Sequence, residues 1–370
     1  MPGHRDRGAG ILTARIARHE AVSAALARLT DDELAHRVAS AHAIGTGIGG
    51  EVASLDVAGA AVFVKRIPLS DLERANALST ANLFDLPPFC QYGVGEIGSP
   101  GFGAWRELAA NQLATGWVLA GRTAAFPLLH HWRVLPGAAS PPAEHADVAA
   151  AVAYWGGAPG VGHRLRARAT ATTSIVLFQE HVPWSLHGWL HDRLAAGPDA
   201  LAAAVRMVCR ALLADVGFMN ANGLLHFDAH FGNVLTDGRR LYFADLGLAT
   251  SPAFALSSDE RDFVDHHATH DRCYTLAQLV NWLVTHAAGV PDPVARNDYI
   301  RACAAGAAPA GLESPLAAVV SRYAPVAVVF NDFFWDLWGT SRTTPYPAAD
   351  AARAMADAEE IEVASRLPPS

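Results

Sequence analysis

The stretch that decides the fold of this 370-residue chain reads His226-Phe-Asp228-Ala-His230-Phe-Gly-Asn233, and Asp245-Leu-Gly247 begins twelve residues after Asn233. The intervening sequence reads as a β-hairpin with its turn at Asp237-Gly238, so we expect Asp245 to return towards Asn233. Carboxylate and amide oxygens are the ligands that Mg²⁺ prefers in proteins. The spacing therefore predicts Asn233 and Asp245 as metal ligands, with Asp228 beside them as a carboxylate that can accept a proton.

Lys65 is the only lysine among 28 basic residues, the others being arginine. A compact ammonium is not equivalent to a planar guanidinium, which makes this position stand out. Lys65 ends the strand-like run Val62-Phe-Val-Lys65, where its charge can neutralise phosphates if a carboxylate holds it. We expect that partner to be Glu107, in the first turn of a helix predicted over 106–120. Glu73 is the alternative, eight residues after Lys65.

A glycine-rich run begins twenty residues before Lys65 and reads Gly45-Thr46-Gly47-Ile-Gly-Gly50-Glu-Val52. Glycines without Cβ atoms let backbone N–H groups approach phosphates. A Rossmann turn needs a strand before the run and a helix after it, whereas here strand-like sequence follows. The run therefore predicts a β-hairpin flap over phosphates. A second glycine pattern, at Gly93, Gly95 and Gly98, has no downstream lysine and is interpreted as a loop.

These motifs together resemble the protein-kinase-like superfamily over about residues 42–340. The resemblance implies an α+β fold of two lobes, a small antiparallel sheet and a larger, mainly helical lobe, with ATP in the cleft and Mg²⁺ as cofactors. It implies a kinase in which Lys65, held by Glu107, orients the phosphates and Asp228 is the catalytic base. His230 is expected to help position the phosphate or the acceptor.

The resemblance also assigns residues around the nucleotide base and the catalytic loop. Gln179 resembles the gatekeeper, and the backbone of Glu180-His181-Val182 resembles the hinge that binds adenine, which gives Glu180 and Val182 as cofactor-binding residues. Asp271 resembles the acidic residue that begins the helix supporting the catalytic loop. Gly45, Thr46, Gly47, Gly50 and Val52 would form the flap over the phosphates.

The identity of the acceptor stays open because the sequence departs from protein kinases in three places. Phe227 replaces the usual arginine, His230 is closer to aminoglycoside and choline phosphotransferases, and Asp271 follows Asp245 by only 26 residues without a clear Ala-Pro-Glu. The complete flap and the Asp271 helix favour a Ser/Thr residue of a protein as acceptor. A small-molecule kinase is one alternative, and a catalytically silent nucleotide-binding scaffold is another.

The coarse pattern predicts further secondary structure and a division of the chain into four regions. Residues 66–86 include a predicted helix over 70–86, and Phe126–Leu135 is predicted as a strand. Further helices are predicted near 144–155 and over about 199–222. Arg164, Arg166 and Arg168 are interpreted as a solvated strand face, with contact to an anionic substrate as the alternative. The regions are an N-terminal helical extension (1–41), a small lobe (42–181) with insertions at 66–104 and 136–173, a helical lobe with the catalytic loop (182–340), and a helical tail (341–370).

Composition restricts the class of protein. The net charge of −8 argues against a nucleic-acid partner, since such binding needs a basic face. The four cysteines lie far apart, which indicates neither a disulfide framework nor a cysteine zinc site and fits a reducing cytosol. The chain has no uninterrupted run of about 18 apolar residues, so we expect no membrane span and a cytoplasmic location. His266-His267-x-x-His270 superficially resembles metal-ligand spacing, but we expect these histidines to be satisfied within a helical loop.

Overall fold

The computed structural model describes residues 3–47, 50–93 and 95–366, and for residues 3–9, 46–47 and 361–366 it describes the backbone alone. The protein is α+β, as predicted, with a five-stranded antiparallel sheet, and most of its described secondary-structure elements are helices. Its described residues form two compact units. The first contains the chain up to Pro183 together with Tyr242–Glu260, and the second contains Trp184–Leu241 and the chain from Arg261 onwards. The segment that carries Asp245 therefore groups with the first unit and not with the predicted region 182–340.

The first unit is built on a sheet whose strand order is β1-β2-β3-β5-β4, with every neighbouring pair antiparallel. Ala58 and Gly59, which join β2 to β3, both have positive φ (54° and 74°), as a two-residue type I′ hairpin turn requires. The predicted hairpin and following strand are thus confirmed, while β4 begins at Leu129 and not at Phe126. The strands are β1 (His42–Gly47), β2 (Gly50–Val57), β3 (Ala60–Leu69), β4 (Leu129–Pro136) and β5 (Thr173–Glu180).

Helices cover both faces of this sheet. Val62 and Val64 of β3 pack with residues of α1 (Gly3–Ala27) and α2 (Asp31–Ala39), so the predicted N-terminal extension is part of the core. Ile67 and Leu69 pack on the other face, against α4 (Ala104–Leu119). Because side chains alternate along a strand, Lys65 lies on the same face as Ile67 and Leu69. The strand period thus directs the lysine towards α4.

The two predicted insertions agree with expectation only in part, since the helix predicted near 144–155 is present at 148–154. The helix predicted over 70–86 is only one short helix, α3 (Asp71–Ala75), since Leu78 and Asp85 have positive φ and break the helical backbone. Residues 136–173 contain α5 (Val148–Tyr154) and α6 (Pro159–Ala169). The strand interpretation of the arginine triplet is wrong: all three arginines lie on α6, where Arg164 and Arg168 are buried.

The second unit is mainly helical. Its strand β6 (Trp184–Ser185) pairs antiparallel with β7 (Val234–Thr236), and β8 (Leu241–Phe243) begins at its boundary. The long helix predicted over 199–222 is present, but a π-helical turn, Leu212–Val216, divides it. The helices are α7 (Leu186–Ala195), α8 (Pro198–Ala211), α9 (Gly217–Ala221), α10 (Ser258–His266, which begins in the first unit), α11 (His270–Trp282), α12 (Pro293–Ala304), α13 (Ser314–Gly339) and α14 (Ala348–Arg366).

One described helix, α13, is long and apolar enough to cross a membrane by length and composition. The core helix of a soluble protein has the same properties, and α13 buries Val320, Ala324 and Phe330 while it packs against α11 and α12. Pro325 interrupts its backbone hydrogen bonding. These features are consistent with a soluble protein.

Candidate active site

Lys65 occupies the centre of a buried ion cluster in the first unit. Its strand pairs it with Val52 on one side and Leu177 on the other, which fixes the direction of the side chain. The Nζ atom lies 2.7 Å from Oε1 of Glu107 and 2.7 Å from Oδ1 of Asp245. Three of the predicted site residues are therefore brought together, from three separate parts of the chain.

Glu107 is positioned by a chain of buried amides that was not recognised in the sequence. The Nδ2 atom of Asn111, one helical turn further along α4, donates to the Glu107 carbonyl oxygen at 2.8 Å. The Nε2 atom of Gln179 in turn donates to Oδ1 of Asn111 at 2.7 Å. Gln179, the expected gatekeeper, thus ties α4 to β5. The i+4 spacing of Asn111 from Glu107 was the available signal.

Asp245 approaches the lysine through an unusual backbone conformation. It has φ 54° and ψ 69°, in the left-handed region that a residue with a side chain rarely adopts. Gly247 follows closely, and a Cβ atom there would lie 3.1 Å from Oε2 of Glu107 and 3.2 Å from Oδ1 of Asp245. The glycine of Asp245-Leu-Gly247 is therefore needed for the close packing of both carboxylates.

Burial and charge act in opposite directions on the residues of this cluster. Burial by itself lowers the pKa of Lys65, but the charges of Asp245 and Glu107 outweigh it and raise that pKa above its ordinary value, so the ammonium stays protonated. Burial raises the pKa of Glu107, against the opposing effect of Lys65. Two carboxylates share one ammonium, and the Asp245 side chain is 42% exposed, whereas those of Lys65 and Glu107 are 5% and 6% exposed. The cluster presents an accessible carboxylate that suits a further cation.

Strands β1 and β2 pair as the glycine-rich hairpin, and residues 48–49 lie outside the described residues. Gly50 has φ 146°, and a Cβ atom there would clash with the carbonyl group of Arg66, so the sheet itself requires this glycine. A Cβ atom added to Gly45 would meet open space among the described residues. Thr46 and Gly47 are described in the backbone alone, and Val52 lies opposite Lys65.

The predicted hinge residue Glu180 has a structural task that the sequence did not reveal. Its backbone N–H donates to the Leu128 carbonyl oxygen at 2.8 Å, so this donor is already engaged. Its carboxylate accepts a hydrogen bond from Nη2 of Arg15 at 2.6 Å. The backbone N–H of this expected hinge residue is thus engaged within the protein, and Arg15 of α1 anchors the end of the strand.

In the second unit, Asp228 and Asn233 contact each other directly. Nδ2 of Asn233 donates to the Asp228 carbonyl oxygen at 3.0 Å and to its Oδ2 atom at 3.1 Å. Because both bonds use the amide nitrogen, Oδ1 of Asn233 is the atom with acceptor capacity towards a cation. The loop therefore presents a half-buried carboxylate beside an oriented amide oxygen.

Asp271, at the start of α11, holds this loop in place. Its two carboxylate oxygens accept from the backbone N–H groups of His226 at 2.7 Å and Phe227 at 2.9 Å. Burial raises the pKa of Asp271, but the hydrogen bond and charge of His270 and the contacts with His226 outweigh it, so the pKa is lowered. Phe227 has φ 61°, a conformation that these bonds stabilise. The expected supporting role of Asp271 corresponds to these contacts.

His230 is oriented by a glycine whose role was missed. Its Nδ1 atom accepts a hydrogen bond from the Gly232 backbone N–H at 3.0 Å, so in the neutral ring the proton lies on Nε2, 4.0 Å from Oδ1 of Asp228. A Cβ atom on Gly232 would lie 2.7 Å from the His230 ring. The glycine two residues after the histidine was the signal in the sequence.

Two alternative interpretations from the sequence have clear outcomes. Glu73, the alternative partner of Lys65, pairs with Arg164 at 2.8 Å. His267 bonds the Phe263 carbonyl oxygen through Nδ1 at 2.6 Å, and His270 lies 3.3 Å from Asp271. Among the described residues, the one histidine group with metal-binding geometry lies elsewhere, on α7 and the π-helical turn after α11.

No protein-family model matches the chain, and no curated protein matches it. The interpretation of the site therefore depends on its own geometry and chemistry.

Proposed function

We propose that this protein is an ATP-dependent phosphotransferase with the two-lobed architecture of the protein-kinase-like superfamily. The observation that carries the proposal is the buried cluster of Lys65, Glu107 and Asp245. A chain that otherwise uses arginine keeps one lysine, and this lysine contacts Glu107, its expected partner, and Asp245, the expected metal ligand. The short contacts of Asp228, Asn233 and Asp271 in the second unit support the same assignment.

The residues fit ATP and Mg²⁺ as cofactors. Asp245 offers a carboxylate whose side chain is 42% exposed, and Asn233 offers an amide oxygen. These are hard oxygen ligands of the kind that Mg²⁺ takes together with phosphate oxygens and water. When bound, the magnesium nucleotide supplies the γ-phosphoryl group and a leaving group of reduced charge.

The chain's own residues account for the remaining chemistry. Lys65, protonated and anchored by Glu107, supplies positive charge for the nucleotide phosphates. Asp228 accepts the proton of the acceptor hydroxyl while the new oxygen–phosphorus bond forms and the bond to the ADP oxygen breaks. The Nε2–H of His230 donates a hydrogen bond to the phosphoryl group or the acceptor. A cytoplasmic location belongs to the same proposal.

A Ser/Thr residue of a protein remains the favoured acceptor, supported by the β1–β2 flap and by the Asp271 contacts. A second candidate is a small hydroxyl compound, favoured by the segment after Asp245. This segment is held by insertion residues: Nε2 of Gln91 donates to the Leu248 carbonyl oxygen, and Thr80 Oγ1 accepts from the Ala255 N–H at 2.9 Å. A segment fixed in this way is less suited to docking a peptide.

The anchoring continues at the end of the same segment. Nη2 of Arg106 lies 2.7 Å from Oε1 of Glu260, and both side chains are buried. Thr250 and Ser251 are buried as well. Their hydroxyl groups are therefore shielded from a phosphorylating enzyme.

The proposal is tested by measuring transfer of the γ-phosphate with Mg²⁺ to generic proteins and to aminoglycosides and choline. We expect Asp228→Asn and Lys65→Arg each to abolish transfer while nucleotide binding persists. Asp192→Asn, at an exposed position of α7, and Arg66→Lys, next to Lys65 on β3, are the matched controls and should keep full turnover.

The labelled acceptor decides between the protein and the small-molecule branch. Nucleotide binding without turnover on any acceptor would instead identify a silent scaffold. Equal turnover in the Asp228→Asn and Arg66→Lys proteins would contradict the assignment of the base.

A further inference from the structure

Three histidines of the second unit converge at one place that the proposed reaction does not use. His187 and His191 lie one helical turn apart on α7, so they project from the same face of the helix. His286 comes from the π-helical turn Leu283–Ala287, a geometry that often marks functional positions. One ring nitrogen from each residue lies within 4.8 Å of the other two.

The arrangement of the rings is compact. The ring centroids are 4.7 Å apart for His187 and His191, and 4.4 Å apart for His191 and His286. Buried Trp282 forms one wall of the cluster, with its ring 5.3 Å from that of His191 and 5.0 Å from that of His286. The tryptophan restricts the rotation of both rings and shields one side of the cluster from water.

The surroundings of two of the three imidazoles favour the form that a metal ion requires. Burial, and then the neighbouring His191 and His230, lower the pKa of His187. Burial, and then His191, His187 and Arg296, lower the pKa of His286. Both shifts favour the neutral ring, which keeps a nitrogen lone pair for coordination. The charge of Arg296 opposes a cation here, and this guanidinium donates to the Thr285 hydroxyl at 3.3 Å.

Coordination needs only a small contraction. Metal–nitrogen bonds of 2.0–2.1 Å in a tetrahedral set place the nitrogens about 3.4 Å apart. The ligand nitrogens of the three histidines lie within 4.8 Å of one another, so shifts of about 1 Å are required. One of these side chains is exposed and two are half-buried, so they can make such shifts. An all-nitrogen set selects Zn²⁺, Co²⁺, Ni²⁺ or Cu²⁺, whereas Mg²⁺ and Ca²⁺ prefer oxygen.

We propose that His187, His191 and His286 form a binding site for a divalent transition-metal ion, with Zn²⁺ as its natural occupant and one coordination position left open. The site is distinct from the proposed magnesium ligands. It also adjoins the loop that carries Asp228, because the backbone N–H of His187 donates to the Phe231 carbonyl oxygen at 2.9 Å. An ion bound here stabilises the second unit and the start of α7.

The experiment uses the full chain without a histidine tag, stripped of metal by a chelator and titrated with Zn²⁺ in a calorimeter. We expect one equivalent to bind with a Kd in the micromolar range or below, and Co²⁺ in its place to give the absorption bands of tetrahedral coordination. His191→Ala and His286→Ala should each weaken binding at least tenfold. His163→Ala, at an exposed position of α6, is the matched control and should bind like the unaltered chain.

Circular dichroism and the melting temperature of the metal-free variants establish that they fold. A folded His286→Ala protein that still binds one equivalent of Zn²⁺ with unchanged affinity would overturn the proposal. So would an unaltered chain that binds no equivalent of Zn²⁺ below millimolar concentration. Phosphate transfer is not part of the measurement, so the result is independent of the proposed kinase activity.

Discussion

Glu73 and Glu107 are both buried glutamates of the first unit, and each pairs with a buried cation, but their surroundings differ. The Glu73 carboxylate lies 2.8 Å from Nη1 of Arg164 and also accepts from the backbone N–H groups of Ser70 and Ala104, both at 2.9 Å. Burial raises the pKa of Glu73, but Arg164 and these hydrogen bonds outweigh it and lower the pKa. Its charge is therefore fully compensated in place.

Glu107 lies in a cluster of a different kind. It shares Lys65 with Asp245, so two carboxylates contact one ammonium, and the Asp245 side chain is open to solvent. Burial raises the pKa of Glu107, and the charge of buried Arg168 also acts against this rise. Glu73 joins α3, α4 and α6 in a cluster without an exposed carboxylate, whereas Glu107 lies beside one that solvent can reach. The two ion pairs therefore differ in the exposure of the neighbouring charged group, because both glutamates are buried.

The largest loss of stability is expected at Glu73. Glu73→Gln removes the charge that compensates buried Arg164, and we expect a loss of about 3–5 kcal/mol in the free energy of unfolding. Urea denaturation measures it. Glu96→Gln, at an exposed position, is the control and should change little. A Glu73→Gln protein as stable as this control would show that the Arg164 pair does not hold the unit together.

At Asp245 we expect a large loss of turnover and little loss of stability. Asp245→Asn keeps the shape of the side chain and leaves Lys65 paired with Glu107, so stability should change by less than about 1 kcal/mol. Turnover should fall about 10²–10³-fold because a charged ligand of the magnesium nucleotide is lost. Asp259→Asn, exposed in the same unit, is the control in both the transfer assay and the unfolding measurement. Unchanged turnover would remove Asp245 from the proposed site.

Glu107→Gln sharpens the comparison between the two glutamates directly. Lys65 keeps Asp245 as a partner, so we expect a destabilisation of at most about 1–2 kcal/mol, well below that of Glu73→Gln. Turnover should fall about 10–100-fold since the lysine loses its anchor. The ratio of the two effects, measured on the same preparations by denaturation and by transfer, is the critical result. A destabilisation equal to that of Glu73→Gln would make both pairs structural.

Asp215, on the π-helical turn of the second unit, extends the comparison to a buried carboxyl group with weak compensation. Burial raises its pKa to about 6, against a modest opposing effect of Arg240. Ionisation is therefore less favourable in the folded than in the unfolded state, and the penalty grows as pH rises from about 4 to about 6. Asp215→Asn should raise the free energy of unfolding by about 1–3 kcal/mol at pH 7, and this gain in stability should shrink as pH falls to 4. A gain in stability that does not change with pH would exclude burial of the ionised Asp215 carboxyl group as its cause.

Much of the fold could be predicted because its signals are local. The Thr30–Glu33 capping box opens α2, the turn at Ala58-Gly59 joins β2 to β3, and strand-like sequence places Lys65 on β3. The prediction of a helix over 70–86 was wrong, because its apolar residues pack in an irregular segment and two of its positions have positive φ. Residues that hold the site, such as Asn111 and Gly232, carry only weak signals, since an amide or a glycine is common in any loop or helix.

The sequence by itself determined the α+β class, the hairpin that carries the flap, the position of Lys65 on a strand and the loop from Asp228 to Asn233. These depend on alternation, turn residues and spacing over a few residues. The sequence favoured Glu107 over Glu73 as the partner of Lys65, and only the tertiary structure decided between them. That choice depends on which helix packs on which face of the sheet, and the energy of that packing is distributed over residues far apart in the chain. The same reason applies to Arg164, whose polar sequence context indicated solvent while its glutamate partner, 91 positions away, holds it in the core.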